Sequence, residues 1–207
     1  MERLDYFDSI QTSIEPYMRK IIVEWMLEVC EDSRSEVPVF LVAVNCLDRF
    51  LCLKNIEKHT FQRIAVACLW IASKFVSDFH LSLELLILYT AKSVTKSDII
   101  RCEKQILSEL NWEIPTTTIV DSLNLLLLRF GHVKDNTVSL NMCVKLAEKV
   151  ATTDEFILKT PSFIATACFT FLSKKCGVQD LSIVGICECA KVNVEHIRQT
   201  YHALDKL

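Results

Sequence analysis

Apolar residues recur along this chain with the period of a helix and almost nowhere with that of a strand. The stretch from Met18 to Cys30, MRKIIVEWMLEVC, carries the pattern most fully. At about 100° per residue, Met18, Ile21, Ile22, Trp25 and Val29 fall on one side. Val23, Met26, Leu27 and Cys30 carry the apolar surface round to the other. Lys20, Glu24, Glu28 and Glu31 share a narrow polar edge. A helix apolar round most of its circumference belongs in an interior with others packed about it, so this stretch reads as the element that organises the chain. Arg19 lies in the middle of the apolar arc, where a charge needs a partner or costs several kcal/mol.

That partner is supplied by the next helix. It runs from about Ser35, read as its N-cap with Pro38 in the first turn, to about Leu53. Its apolar stripe is Val37, Leu41, Val44, Leu51 and Cys52, with Asp48 at the centre. Opposite charges on two core-facing surfaces predict an internal ion pair, Arg19 with Asp48; the alternative is that one of them sits at a helix end and reaches water. Arg49 is read as pointing elsewhere, into solvent.

The remaining spacing predicts helices all the way along. Residues 1–16 read as a short helix ending at Pro16. Further helices are expected from about Thr60, as cap, to Val76, from about Leu81 to Tyr89, and from about Thr95 to Trp112. Thr95 and Asp98 there resemble a capping box. In the helix behind Thr60, the small residues Ala65, Ala67, Ala72 and Ser73 allow close approach, so it too reads as central. Pro115 ends this unit. Four more helices are expected, at about Thr117 to Phe130, Thr137 to Ala151, Leu181 to Ala190 and Val194 to Leu207. Between the second and third of these lies a repeat: ACLWIASK at 67–74 matches ACFTFLSK at 167–174 at Ala, Cys, Ser and Lys. Each copy is preceded by a threonine, Thr60 or Thr160, the second followed by Pro161 at the favoured first helical position. The expectation is an all-α chain of two tandem five-helix bundles after a short N-terminal helix, divided as 1–16, 17–115 and 116–207.

Composition narrows the chemistry. With 3 Gly and 4 Pro there is little turn material for a sheet protein. A net charge of -3, with lysines and arginines scattered in ones and twos, argues against nucleic acid. The 10 cysteines sit in apolar helical stretches with no CxxC, which reads as free thiols of an intracellular, soluble protein rather than a disulfide framework. Cys187 and Cys189, two apart on a helix, face different ways. The start MERLDYFDSI is polar and acidic, unlike a secretory signal, and the longest apolar run, Ile64 to Ala72, is half a membrane span. Glycine stands only at 131, 177 and 185, so no phosphate loop exists. HExxH, metal-spaced Cys and His, and a nucleophile elbow are absent as well. Catalysis, cofactors and metal are therefore not expected.

Two more charges break the helical pattern. Glu103 lies among Ile99, Ile100, Ile106, Leu107 and Leu110, and Lys74 among Ala67, Trp70 and Ile71. Periodicity leaves two readings open: the charges pair with one another inside the fold, or they orient a partner laid across exposed apolar surface.

The residues themselves carry a resemblance. MRKIIVEWMLEV, LDRFL at 47–51, ASKF at 72–75 and RCE at 101–103 resemble, in order and spacing, the first cyclin box. TDEFILKTPSFIATA at 153–167 resembles the second. WMLEVCE, LDRFL and the second-box pattern are most similar to the D type, and the short chain suggests a herpesvirus-encoded relative. The resemblance implies a regulatory subunit that binds and activates a cyclin-dependent kinase and promotes cell-cycle progression, in the nucleus or cytoplasm of a cell or viral host. It implies kinase contacts at Lys74, Glu103, Ile71, Phe75, Trp112 and Ile114. It also implies a docking patch for Arg-x-Leu substrates or inhibitors at Met18, Ile21, Ile22, Trp25, Glu28 and Gln62, and it makes Arg19 and Asp48 the family's internal pair. Departures are the absence of LxCxE, of a Pro/Ser-rich degradation tail, and of the docking helix's usual alanine, which is Lys20 here. The rival function on the same fold is a transcription-factor adaptor on DNA without kinase activation, which the charge distribution disfavours.

Overall fold

Pro16 opens a helix instead of closing one. In the computed structural model, which describes residues 6–115, 117–130, 138–178 and 182–207, the short α1 (Tyr6–Ser9) is followed by α2 (Pro16–Asp32). A proline in the first turn gives up an N–H that has no intrahelical acceptor, so the expected stop is a start. The chain continues through α3 (Val37–Leu51), α4 (Phe61–Val76), α5 (Leu83–Tyr89) and α6 (Lys96–Glu109). After these come α7 (Ile119–Phe130), α8 (Leu140–Ala151), α9 (Pro161–Lys175), α10 (Ile183–Ala190) and α11 (Val194–Leu204). Short 3-10 turns stand at Lys58–Thr60 and Asp154–Phe156. No strand occurs among the described residues: the class is all-α, one short helix and then ten more.

Most helix starts are written in side-chain oxygens. Thr95 and Asp98 form the reciprocal capping box before α6, and Thr118 with Asp121 makes the same exchange before α7. Ser82, Ser139, Thr160, Ser182 and Asn193 each accept a first-turn N–H. Two expected caps are different. Ser35 does not cap α3; its Oγ lies 2.8 Å from Ser33 Oγ, and Glu36 occupies the cap position without a side-chain bond to the helix, its carboxylate accepting from Ser77 Oγ at 2.7 Å instead. The Thr60 hydroxyl turns back to the Glu57 carbonyl at 2.8 Å, because the 3-10 turn before α4 already claims it. Of the other expected starts, Thr137 and Leu181 lie outside the described residues.

The chain divides into two compact units, Met1–Pro115 and Thr116–Leu207. In the first, α4 is the hub, packed against α2, α3, α5 and α6, which corrects the expectation that the Met18 to Cys30 helix would be. Small side chains decide this: Ala65, Ala67, Ala72 and Ser73 of α4 are all fully buried, letting neighbours close on every side. By contrast α2 leaves Ile21 60% exposed. In the second unit α9 takes the hub position, packed against α7, α8, α10 and α11. The two copies of the repeat thus lie on the two hubs, with Ala165, Ala167 and Cys168 fully buried in α9. Its buried hydroxyls satisfy themselves on the preceding turn, Thr166 to Ser162, Thr170 to Thr166 and Ser173 to Phe169, each at 2.7 Å.

All ten cysteines are free. Burial pushes the thiols of Cys46 and Cys143 up to about 12, so these are inert core residues. Cys187 is buried and Cys189 exposed, as their spacing on α10 requires.

Candidate functional site

One face of α2 meets α3 through charge. Arg19 Nε lies 2.7 Å from Asp48 Oδ1 and Nη2 lies 2.8 Å from Oδ2, a two-pronged fork that matches guanidinium to carboxylate. The two side chains are 1% and 6% exposed. A third member comes from α1: Tyr6, itself buried, donates its hydroxyl to Asp48 Oδ1 at 3.1 Å. Burial, together with the Asp48 carboxylate and against the pull of Arg19, raises the Tyr6 hydroxyl far above its ordinary range, so it stays a donor. Gln11 ties down the same segment. Its Nε2 donates to the carbonyls of Leu51 and Lys54 at 2.6 and 2.7 Å, and its Oε1 accepts from the Ile56 N–H at 3.2 Å. This closes the end of α3, whose last carbonyls have no intrahelical donor.

On the outside of the same unit, Lys74 of α4 and Glu103 of α6 form a second ion pair. The two charges do pair with each other, at the surface rather than inside the fold, with side chains 35% and 16% exposed. Lys74 also stands over the Trp70 ring, 4.6 Å from its centroid. Phe75, next on α4, is 47% exposed, and Trp112 is 72% exposed. Ile114 is half-buried. Ile71, one turn before Lys74 on the same helix, is buried at 4% exposed, so little of it reaches the surface on which Lys74 and Phe75 stand.

Trp112 is held at the end of α6 as Lys92 is at the end of α5, by two successive residues in the left-handed region. α6 stops at Glu109, and Asn111 and Trp112 follow with φ of 51° and 60°. For a bulky side chain this region is rare and costs of order 1–3 kcal/mol. Such strain is maintained only where the surroundings fix it. Here the Trp112 N–H bonds the Leu107 carbonyl at 2.8 Å and the Glu113 N–H bonds Leu110 at 2.9 Å. Arg49, expected in solvent, instead reaches this turn: Nη1 donates to the Glu113 carbonyl at 2.6 Å and Nη2 lies 3.9 Å from Glu113 Oε2.

The outward side of α2 forms a second apolar surface. Ile21 is exposed, while Met18, Ile22 and Trp25 are half-buried beside it. Glu28 is exposed and Gln62 of α4 half-buried. Lys20 stands on the polar edge, 3.9 Å from Glu24 one turn on, clear of that apolar side. The surface could take an extended apolar segment carrying a positive charge, with Glu28 as its counter-charge.

Among the described residues no group of three or more His, Cys, Asp and Glu could hold a metal ion. Nor is any helix among them long and apolar enough to cross a membrane. Tyr6, Gln11 and Arg49 are the residues that sequence reasoning missed. For Tyr6 alone there was a signal: a phenol in a polar segment shortly before an arginine in need of company.

The sequence pattern of the cyclin N-terminal domain matches residues 1–115. The chain is 32% identical over 163 residues to G1/S-specific cyclin-D1 of Mus musculus, covering 78% of this chain and 55% of that protein. It is 32% identical over 180 residues to G1/S-specific cyclin-D2 of Gallus gallus, covering 86% of this chain and 61% of that one. The chain thus spans little more than half the length of these relatives. In fold it is similar to the X-ray structure of a viral cyclin from herpesvirus saimiri, with a TM-score of 0.81 at 23% identity over 98% of this chain and 90% of that one. A chain in the crystal structure of the yeast RNA Pol II CTD kinase CTDK-1 complex gives 0.78 at 14% identity, covering 96% of this chain and 68% of that chain.

Proposed function

The chain belongs to the cyclin family, and from that premise we propose that it is a regulatory subunit that binds and activates a cyclin-dependent kinase and recruits substrates carrying Arg-x-Leu. The observation that carries the reading is the surface ion pair of Lys74 and Glu103, joining α4 to α6, with Phe75 and Trp112 standing exposed in the same unit. Charged pairs amid exposed aromatics fix the register of an interface whose area is mainly apolar.

The mechanism is one of selection. A kinase becomes competent when its C-helix turns inward and aligns the Lys–Glu pair and the metal-binding Asp. A rigid helical surface that fits only the inward arrangement shifts the equilibrium by its differential affinity. The cyclin does no chemistry itself. Rigidity comes from the buried Arg19–Asp48–Tyr6 cluster, which locks α1, α2 and α3 together, and the outward side of α2 is left free to hold the substrate. The work is done in the nucleus or cytoplasm, where such kinases meet their substrates.

The test is to mix the chain with several purified cyclin-dependent kinases and follow complex formation and histone phosphorylation together. A stable, active complex with at least one is expected, and no complex with any would sink the reading. Trp25→Ala separates the two surfaces. It should spare kinase binding and activity on short peptides while impairing substrates with an Arg-x-Leu motif; equal loss on both would count against the docking patch.

A further inference from the structure

We infer that Arg49 is a positioning residue for Trp112, and that its contribution to partner binding runs through that side chain. The inference rests on the kinase-binding reading and adds a residue to it. Asn111 and Trp112 are successive residues in the left-handed region, and neither is glycine. The same succession ends α5 at Ala91 and Lys92, held by hydrogen bonds from Ala91 to Leu88, Lys92 to Ile87 and Ser93 to Thr90, so what marks the Trp112 turn is a further tie. The turn's own hydrogen bonds, from Asn111 to Ser108, Trp112 to Leu107 and Glu113 to Leu110, tie it back to the end of α6 alone. Arg49 ties it to a second helix. From the last turn of α3 its guanidinium meets the Glu113 carbonyl at 2.6 Å, with the Glu113 carboxylate 3.9 Å from its other nitrogen. The planar, permanently charged guanidinium thereby anchors the Glu113–Ile114 peptide, one residue beyond Trp112, and with it the turn that presents an indole 72% exposed.

An aromatic anchor held in its bound direction before contact avoids the ordering cost of docking. A cation near the end of α3 would suit the helix dipole in any orientation. The reach to a carbonyl 64 residues away, on the turn that carries the most exposed tryptophan, is what the dipole does not require.

The full chain is compared with Arg49→Gln, Trp112→Ala, the double variant and Lys74→Ala, by amide hydrogen exchange of the free protein and by Kd for a purified kinase. Arg49→Gln is expected to speed exchange at Trp112, Glu113 and Ile114 by about tenfold, with the interior of α4 unchanged. It should weaken the complex by about tenfold, and the double variant should bind like Trp112→Ala alone, as coupled residues do. Unchanged exchange at those three amides overturns the positioning role, whatever the kinase does. Losses that add in the double variant overturn the route through Trp112. If Lys74→Ala weakens the complex and Arg49→Gln does not, the inference falls while the kinase-binding reading stands. If the wild-type chain binds no kinase, that reading falls and the inference with it. Should Arg49→Gln speed exchange throughout α4, Arg49→Lys, which keeps the charge on α3, replaces it under the same expectations.

Discussion

Two ion pairs in the first unit use the same chemistry in opposite surroundings. Arg19 and Asp48 join α2 to α3 with side chains 1% and 6% exposed, whereas Lys74 and Glu103 join α4 to α6 at 35% and 16%. In the first, both side chains are shut away from solvent and the carboxylate accepts from the guanidinium fork and from the Tyr6 hydroxyl. In the second, water competes for both groups, so the pair is weak in the free protein and its members can be shared with a partner at little cost. Burial thus separates a charge pair shut inside the fold from one that solvent reaches.

The largest effect expected from breaking this comparison lies on the buried side. Arg19→Ala should lower unfolding free energy by about 3–5 kcal/mol, because Asp48 is left charged and buried. Urea unfolding followed by circular dichroism measures it, and a change below about 0.5 kcal/mol would contradict the burial. Replacing both partners, Arg19→Met with Asp48→Leu, should recover most of the loss, since the cost comes from the orphaned charge rather than from a lost attraction. Tyr6→Phe comes next, at about 1.5–3 kcal/mol for one hydrogen bond to a buried charge. It would also show how firmly α1 is held.

Asp98, with a side chain 20% exposed, is a third carboxylate of the same unit. It accepts from Thr95 Oγ1 at 2.6 Å and from the Thr95 N–H at 3.1 Å, and it meets Arg101 at 2.6 Å and Arg63 at 3.4 Å. The Thr95 hydrogen bonds first, with Arg63 and Arg101 behind them and against a small burial penalty, hold its carboxyl below the usual range. A carboxylate with a depressed folded pKa stabilises above its unfolded pKa, roughly 4, and that stability is lost as pH falls through the folded value. Thr95→Ala should cost about 1 kcal/mol at neutral pH and flatten the acid limb of a stability–pH profile. An acid limb identical to wild type would show that the capping box leaves Asp98 untouched.

The buried pair was legible because a charge in the centre of an apolar stripe has few places to go, and α2 and α3 each carry one. The first hub is legible in the small residues of α4, while the place of α9 is not read from its sequence, and the apolar residues that run round α2 point to it as the centre instead. Periodicity measures how much of a helix is apolar and cannot tell a face packed on neighbours from a face kept for a partner. Ile21 and Val23, two residues apart, look equally apolar in sequence and end 60% and 0% exposed. Gln11 and Arg49 were not legible at all, because their partners are the backbone carbonyls of Leu51, Lys54 and Glu113. Every residue carries a carbonyl, so composition and spacing hold no trace of which one a side chain will find.

The smallest expected effect on stability bears most directly on function. Lys74→Ala with Glu103→Ala should change unfolding free energy by less than about 1 kcal/mol, because each group returns to water that already reaches it. The same double variant should weaken the kinase complex by about tenfold or more, since at a docked interface water is excluded and charges left without counterparts become costly. Raising salt should narrow the gap between wild type and variant if the pair also steers encounter, because screening acts on charges that meet across solvent. A double variant that melts far below wild type would mean that Lys74 and Glu103 hold the fold as Arg19 and Asp48 do. The contrast between the two pairs would then be one of position alone.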